Sequence, residues 1–188
     1  MLQKSKITDW DKFNPKLFQK VNYLTKDICI ELINFAENET KFVEHVSNNK
    51  VCSVNFKTTG IPITSELNDR LHKLLEPVWE EAIAYYNFDV SYTEPYEIKK
   101  YEVNDFVSDH EDQFFGSSEN ERKLSMVVQL SNKTEYWGGN LRLLRRFDCT
   151  REIGSIFIFP SFYLHEVTKV TKGVRYSINN WAWGPNWK

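Results

Sequence analysis

Three residues in the second half of the chain have the types and spacing of a metal site. His110 and Asp112 are separated by one residue, and His165 follows His110 by 55 positions. In extended backbone, residues two apart point to one side. A His-x-Asp pair therefore offers a nitrogen and an oxygen to one ion from a short, stiff segment. A second imidazole, brought in from a distant strand, makes a set of two neutral nitrogens and one carboxylate. That set suits ferrous iron and leaves three positions of an octahedron open for substrates. Asp109 and Glu111 flank His110 directly, so an extended segment turns them to the opposite side. Of the four histidines, His45 is expected near the end of a first helix and His72 on a second, which leaves His110 and His165 as the natural pair.

Ten residues beyond His165 stands Arg175. A guanidinium is a fixed cation able to bind a carboxylate through two nitrogens, as an acid held beside the metal would require. On a strand, Arg175, Ser177, Asn179 and Trp181 share one side, while Val174, Tyr176 and Ile178 share the other. Ser177 can then add a hydroxyl to the same carboxylate. The competing account of Arg175 is a surface ion pair, and that of a lone histidine is a hydrogen-bonded or surface residue.

The surrounding landmarks run in order from Tyr101 through His110-x-Asp112, Arg122-Lys123-Leu124-Ser125, Gly138-Gly139-Asn140-Leu141, Gly154-Ser155, Phe159-Pro160, His165 and Gly173-x-Arg175-x-Ser177 to Trp181. This pattern resembles the iron(II)- and 2-oxoglutarate-dependent oxygenases, in particular their prolyl/lysyl hydroxylase-like branch. The resemblance implies Fe(II) as metal, held by His110, Asp112 and His165. It implies 2-oxoglutarate and dioxygen as cosubstrates, with ascorbate a candidate reductant. Arg175 and Ser177 would take the far carboxylate of 2-oxoglutarate, with His110, Asp112, His165 and Arg175 as the catalytic set. A tyrosine near the position of Tyr101 contacts the cosubstrate in similar enzymes, with packing a close second account of it here. The family's glycine between Tyr101 and His110 is replaced by Asn104.

The activity so implied is hydroxylation of an aliphatic carbon on a prolyl or lysyl residue of a peptide or protein, with release of succinate and carbon dioxide. Because Asp112 is present, no ligand position is vacated for halide. Three alternatives stand beside it: a hydroxylase of a free amino acid or small metabolite, a non-catalytic jelly-roll binding module, and a nucleic-acid dealkylase. The last ranks lowest. Such dealkylases typically carry a second arginine six positions after the first, where this chain has Trp181.

Whole-chain numbers agree. With 24 basic and 26 acidic residues the charge nearly cancels, which argues against a broad nucleic-acid surface. The group Arg142, Arg145, Arg146 and Arg151 is diluted by Asp148 and Glu152 and reads as a solvated face. No long uncharged apolar run offers a membrane span, and Met1 to Lys6 lacks the apolar segment of a secretory signal. Cys29, Cys52 and Cys149 are scattered and odd in number, forming neither a zinc cluster nor a disulfide framework. A cytoplasmic setting with a peptide or small-molecule substrate is expected.

These residues need a scaffold that brings distant strands together. At 188 residues the chain is expected to be one domain, with helical support over 25–86 and a catalytic core over about 90–183. The lead-in carries Trp10, Phe13, Leu17, Phe18 and Tyr23, which could tie it down, and Pro15, which argues against a helix. Ile28, Leu32, Phe35 and Ala36, continued by Phe42, Val43 and Val46, predict a helix from Asp27 to Val46 with Thr25 as cap. A strand is expected from Val51 to Phe56, ended by Thr58-Thr59-Gly60. Leu67, Leu71, Leu74, Leu75, Val78, Trp79, Ala82 and Ile83 predict the main helix from Ser65 to Tyr86, kinked or divided at Pro77. Strands are then predicted at Tyr96–Tyr101, Leu124–Leu130, Leu141–Leu144, Ile153–Phe159, His165–Val167 and Val174–Trp181. Short strands separated by turns suggest a mainly β fold, a double-stranded β-helix or jelly roll of cupin-like form, with the helices outside.

Overall fold

The computed structural model describes residues 16–48, 52–62, 64–113 and 119–187. Trp10, Phe13, Pro15 and Val51 lie outside these residues. In chain order the elements are β1 (Phe18–Lys20), α1 (Lys26–Glu39), β2 (Val43–Asn48), β3 (Ser53–Gly60), α2 (Glu66–Tyr86), β4 (Tyr92–Thr93), β5 (Glu97–Tyr101) and β6 (Phe106–His110). They continue with β7 (Asn120–Gln129), β8 (Tyr136–Trp137), β9 (Leu141–Leu143), β10 (Phe147–Asp148), β11 (Ile156–Pro160), β12 (His165–Val167), β13 (Lys172–Gly173) and β14 (Arg175–Pro185).

The main sheet runs β1-β11-β7-β14-β5-β3-β6-β12-β9-β10, with β2 added beside β3 and β4 beside β14. Its pairings are antiparallel, and the sheet curls into a half-barrel of the double-stranded β-helix type. The period of two separates two environments. Met126, Val128, Ile156, Ile158 and Ile178 face the helices, where they pack with Leu32, Leu71, Leu75 and Val78. Val127, Phe157 and Phe159 face the inside of the roll, with Leu141 and Leu143. Strand β11 is thus buried on both faces, which explains its unbroken apolar sequence, whereas β7 buries Lys123, Ser125 and Gln129 along with its apolar residues.

Helix α2 presents Leu71, Leu75, Val78, Trp79 and Ala82 to this sheet, and each fully buried Leu or Val contributes about 1.5–3 kcal/mol. The Ser65 hydroxyl caps it by accepting from the Asn68 N–H. The helix passes through Pro77 undivided. Leu75, Val78 and Trp79, buried on both sides of the proline, hold the two halves to one sheet and outweigh the lost backbone bond.

Helix α1 is shorter than its apolar pattern suggested. It begins after the Thr25 cap as expected but ends at Glu39, and Val43–Asn48 leave it to pair with β3. Val43 and Val46, counted into a buried helical stripe, are 61% and 69% exposed on an edge strand. The polar stretch from Glu37 to Lys41 breaks the helix, and the β-branched residues beyond it favour extended backbone. His45 therefore lies on β2 and not near a helix end. Strand β3 also continues through Thr58, Thr59 and Gly60, because β5 supplies a pairing edge there.

Candidate functional site: a metal centre beside a buried cation

Inside the roll a cavity of about 220 Å³ is lined by His110, Asp112, His165, Tyr101, Arg175 and Ser177, together with Lys99, Asn179, Phe56 and others. The topology explains this gathering. Strands β6 and β12 pair with His165 opposite His110, so two residues 55 positions apart bring their rings to 4.1 Å between centroids. His110 ends β6, and Asp112 lies just past the strand, where its N–H donates to the Ser161 carbonyl at 2.9 Å.

One ligand atom from each of His110, Asp112 and His165 lies within 4.8 Å of the other two. His110 Nε2 is 3.5 Å from Asp112 Oδ1, and His165 Nε2 is 3.4 Å from Asp112 Oδ2. Each imidazole commits its other nitrogen to backbone. His110 Nδ1 donates to the Ser108 carbonyl and His165 Nδ1 to the Tyr163 carbonyl, both at 2.9 Å. A carbonyl can only accept, so Nδ1 carries the hydrogen and the neutral ring turns its Nε2 lone pair inward. Asp112 is fixed with equal care. Its Oδ2 accepts from Ser125 Oγ and from Trp181 Nε1, each at 2.8 Å, and Ser125 Oγ also lies 3.0 Å from Ser161 Oγ.

The charges agree with an ion-binding role. Burial pushes the Asp112 carboxyl up, but the two imidazoles outweigh it and hold the group well below the usual carboxylate range. His165 is raised: burial pulls it down, and the Asp112 charge more than reverses this. Two inward lone pairs and one fixed carboxylate form a donor set that fits a divalent transition metal. Asp109 and Glu111 do not join it. Asp109 pairs with Arg145 at 2.6 Å, and Glu111 is exposed.

Arg175 is the largest fully buried side chain among the described residues, at 1% exposed. It stands opposite Tyr101 in the β14–β5 pairing, its guanidinium 5.1 Å from the centre of that ring. Its contact to Ser177 Oγ is long, at 3.4 Å, and its Nε has no hydrogen-bond partner among the described residues. No carboxylate there lies within ion-pair distance of it. A buried cation with an orphaned donor fits an absent anion. Burial raises the Tyr101 phenol to about 12 against the pull of Arg175, so it is a hydroxyl donor at neutral pH. Gly139 gives Arg175 room: with φ at +61°, a Cβ there would sit 3.1 Å from Arg175 Cδ. The turn after Tyr101 forms without a glycine. Asn104 takes φ of +78°, which asparagine tolerates, and Asp105 closes the turn onto the Glu102 N–H.

Sequence reasoning grouped the triad, Arg175, Ser177 and Tyr101, and the structure brings all six to one cavity. It missed three features. The Trp181 indole, read only as an aromatic of the groove, core or strand, donates to Asp112. Lys99 shares the inward phase of Tyr101 on β5 and lines the cavity, with burial as the largest influence lowering its ammonium's affinity for a proton. His45, assigned to a helix, stacks on Phe56 at the cavity. The Lys99 signal was available in its spacing from Tyr101, whereas that of His45 was hidden by the misplaced end of α1. The basic group on β9 and beyond is a paired surface. Arg142 meets Asp148 and Glu166, and Arg151 lies over Tyr136.

The curled antiparallel sheet is of the double-stranded β-helix class, and it carries a His-x-Asp…His group able to hold a metal. The family model described as the 2OG-Fe(II) oxygenase superfamily matches residues 96–183. A PKHD-type hydroxylase of Prochlorococcus marinus is 37% identical over 62 residues, covering 31% of this chain and 28% of the relative. Another, of Alteromonas mediterranea, is 39% identical over 61 residues, covering 31% and 27%. The chain thus aligns with a little over a quarter of the length of these curated relatives. Among solved structures, the viral collagen prolyl hydroxylase of Paramecium bursaria Chlorella virus-1, in complex with 2OG, superimposes with a TM-score of 0.69 at 16% identity, covering 89% of this chain and 96% of that one. A Pseudomonas putida prolyl-4-hydroxylase gives 0.68 at 18% identity, covering 95% and 96%. At such identities these are likenesses of fold.

Proposed function

We propose that this chain is an Fe(II)- and 2-oxoglutarate-dependent hydroxylase acting on an aliphatic carbon of a prolyl or lysyl residue in a peptide. The observation that carries the proposal is a carboxylate and two inward-facing imidazoles, each oriented by its own hydrogen bonds, beside a buried arginine lacking an anion. His110, Asp112 and His165 would hold the iron, which supplies the redox chemistry that couples oxidation of 2-oxoglutarate to hydroxylation of the substrate. Arg175, with Ser177 and the Tyr101 hydroxyl, would bind the cosubstrate's far carboxylate and set its position along the cavity. Phe56, Val127, Leu141 and Val167 exclude water around the reacting groups. The Ser108 and Tyr163 carbonyls keep both imidazoles in the tautomer that binds metal.

Ascorbate as reductant belongs to the same reading. So does a cytoplasmic setting, which is supported by three free cysteines. No helix among the described residues is long and apolar enough to cross a membrane. The test is succinate formation from 2-oxoglutarate with added Fe(II), together with one added oxygen on a proline- or lysine-containing peptide. A chain that binds neither Fe(II) nor 2-oxoglutarate refutes the proposal.

A further inference from the structure

The cavity holds a second cation that the reading above leaves unused. Lys99 lies on β5 opposite Ser177 of β14, two residues from Tyr101 and on the same inward side. Its ammonium stands 4.8 Å from the centre of the Phe56 ring and 5.1 Å from that of Trp181. Among the described residues no carboxylate lies within ion-pair distance of it, whereas neighbouring Lys100 reaches both Glu37 and Glu102. A partly buried ammonium held between two aromatic faces has lost water and gained only their weak attraction.

The charge count points the same way. Asp112 is the one acid among the described residues lining the cavity, against Lys99, Arg175 and the divalent metal that the triad would hold. A 2-oxoglutarate dianion neutralises two of the three positive charges left after Asp112, and one remains. Arg175 is more deeply buried than Lys99, and it already faces the place proposed for the cosubstrate's far carboxylate. Lys99 instead leans on Trp181, the side chain that holds Asp112.

Resting on the proposed function, we infer that Lys99 is a specificity residue that binds a carboxylate of the substrate to be hydroxylated. The substrate is therefore acidic next to its target carbon, either as a free amino acid or as a peptide with Asp or Glu beside the target residue. The same chemistry could be met by a carboxylate of the cosubstrate, and the experiment separates the two.

The full chain is loaded with Mn(II) and titrated by calorimetry, first with 2-oxoglutarate alone. The 2-oxoglutarate complex is then titrated with L-proline against L-prolinamide, L-lysine against L-lysinamide, and acetyl-Asp-Pro-amide against acetyl-Asn-Pro-amide. Parent, Lys99→Met and Lys99→Arg are compared, with Lys99→Gln replacing the methionine variant if that fails to fold. For at least one pair the parent should prefer the carboxylate member by about tenfold or more. Lys99→Met should erase that preference, Lys99→Arg should keep most of it, and 2-oxoglutarate affinity should stay within about twofold throughout. Weaker 2-oxoglutarate binding in Lys99→Met, with no change in pair preference, overturns the inference and gives Lys99 to the cosubstrate. A parent complex that prefers no carboxylate over its amide also overturns it. Failure of the parent to bind 2-oxoglutarate at all is a different result, and it refutes the proposed function.

Discussion

Replacing Trp181 with phenylalanine should weaken metal binding while leaving the fold in place. The indole N–H donates to Asp112 Oδ2 at 2.8 Å in a buried setting. Hydrogen bonds to a charged group contribute about 1.5–3 kcal/mol. If that loss falls on the orientation of the carboxylate, the metal dissociation constant rises about 10- to 100-fold. Phenylalanine keeps an aromatic face for the Arg122 guanidinium, which lies 4.0 Å from the Trp181 ring centre, so the surrounding packing is largely retained. Ser125→Ala removes the other donor to the same oxygen and should have a similar effect. Because both donors orient one group, the double variant should depart from the sum of the two losses. The assay is titration of metal-free protein with Co(II), followed by its d–d absorbance, beside thermal unfolding of the metal-free forms. A Trp181→Phe chain that binds Co(II) as tightly as the parent would refute the idea that this indole positions the ligand.

Further outcomes follow from the same geometry. Arg175→Met should raise the 2-oxoglutarate concentration needed for half-saturation by at least about tenfold, measured as binding to the Mn(II) form, while Co(II) affinity stays near the parent value. Gly139→Ala should cost about 1–2 kcal/mol in thermal unfolding, because alanine at φ of +61° is strained. Its Cβ would also crowd Arg175 Cδ, so 2-oxoglutarate should bind more weakly too. Metal binding should strengthen with pH. His165 has a raised pKa, so its charged pairing with Asp112 is fully present in the metal-free chain below the ordinary imidazole value and is lost as pH rises through the raised one. Asp112 is depressed, so its contribution is present above the ordinary carboxylate range and fails only in stronger acid. Metal competes with the His165 proton, and the Co(II)-induced rise in Tm should be larger near about pH 8 than near about pH 6. An equal rise at both would contradict this.

Much of the fold was legible because its signals are local. His165–Val167 is a strand with the bounds that its sequence suggested, and the apolar spacing of α2 placed that helix to within a residue. Alternation along Arg175, Ser177, Asn179 and Trp181 also predicted a shared side for these residues. What alternation cannot supply is the neighbour. That Arg175 faces Tyr101, and Ser177 faces Lys99, depends on the register between β14 and β5, more than 70 residues apart in sequence. Lys99 gained its importance only from that register. The end of α1 failed for a different reason: Val43 and Val46 fit a helical stripe as well as an edge strand, and only pairing with β3 decides between them. Asp112 could be recognised from its spacing, but the serine and tryptophan that fix it come from β7 and β14.

The central claim is that one cavity binds Fe(II) through His110, Asp112 and His165 and oxidises 2-oxoglutarate beside it. The most direct test is oxygen-dependent formation of succinate by the Fe(II)-loaded chain, with the parent compared to His165→Ala at matched folded concentration. The account predicts succinate from the parent only when Fe(II) and oxygen are both present, and none above background from His165→Ala. Equal succinate from both chains, or a parent that binds neither Fe(II) nor 2-oxoglutarate, would contradict it.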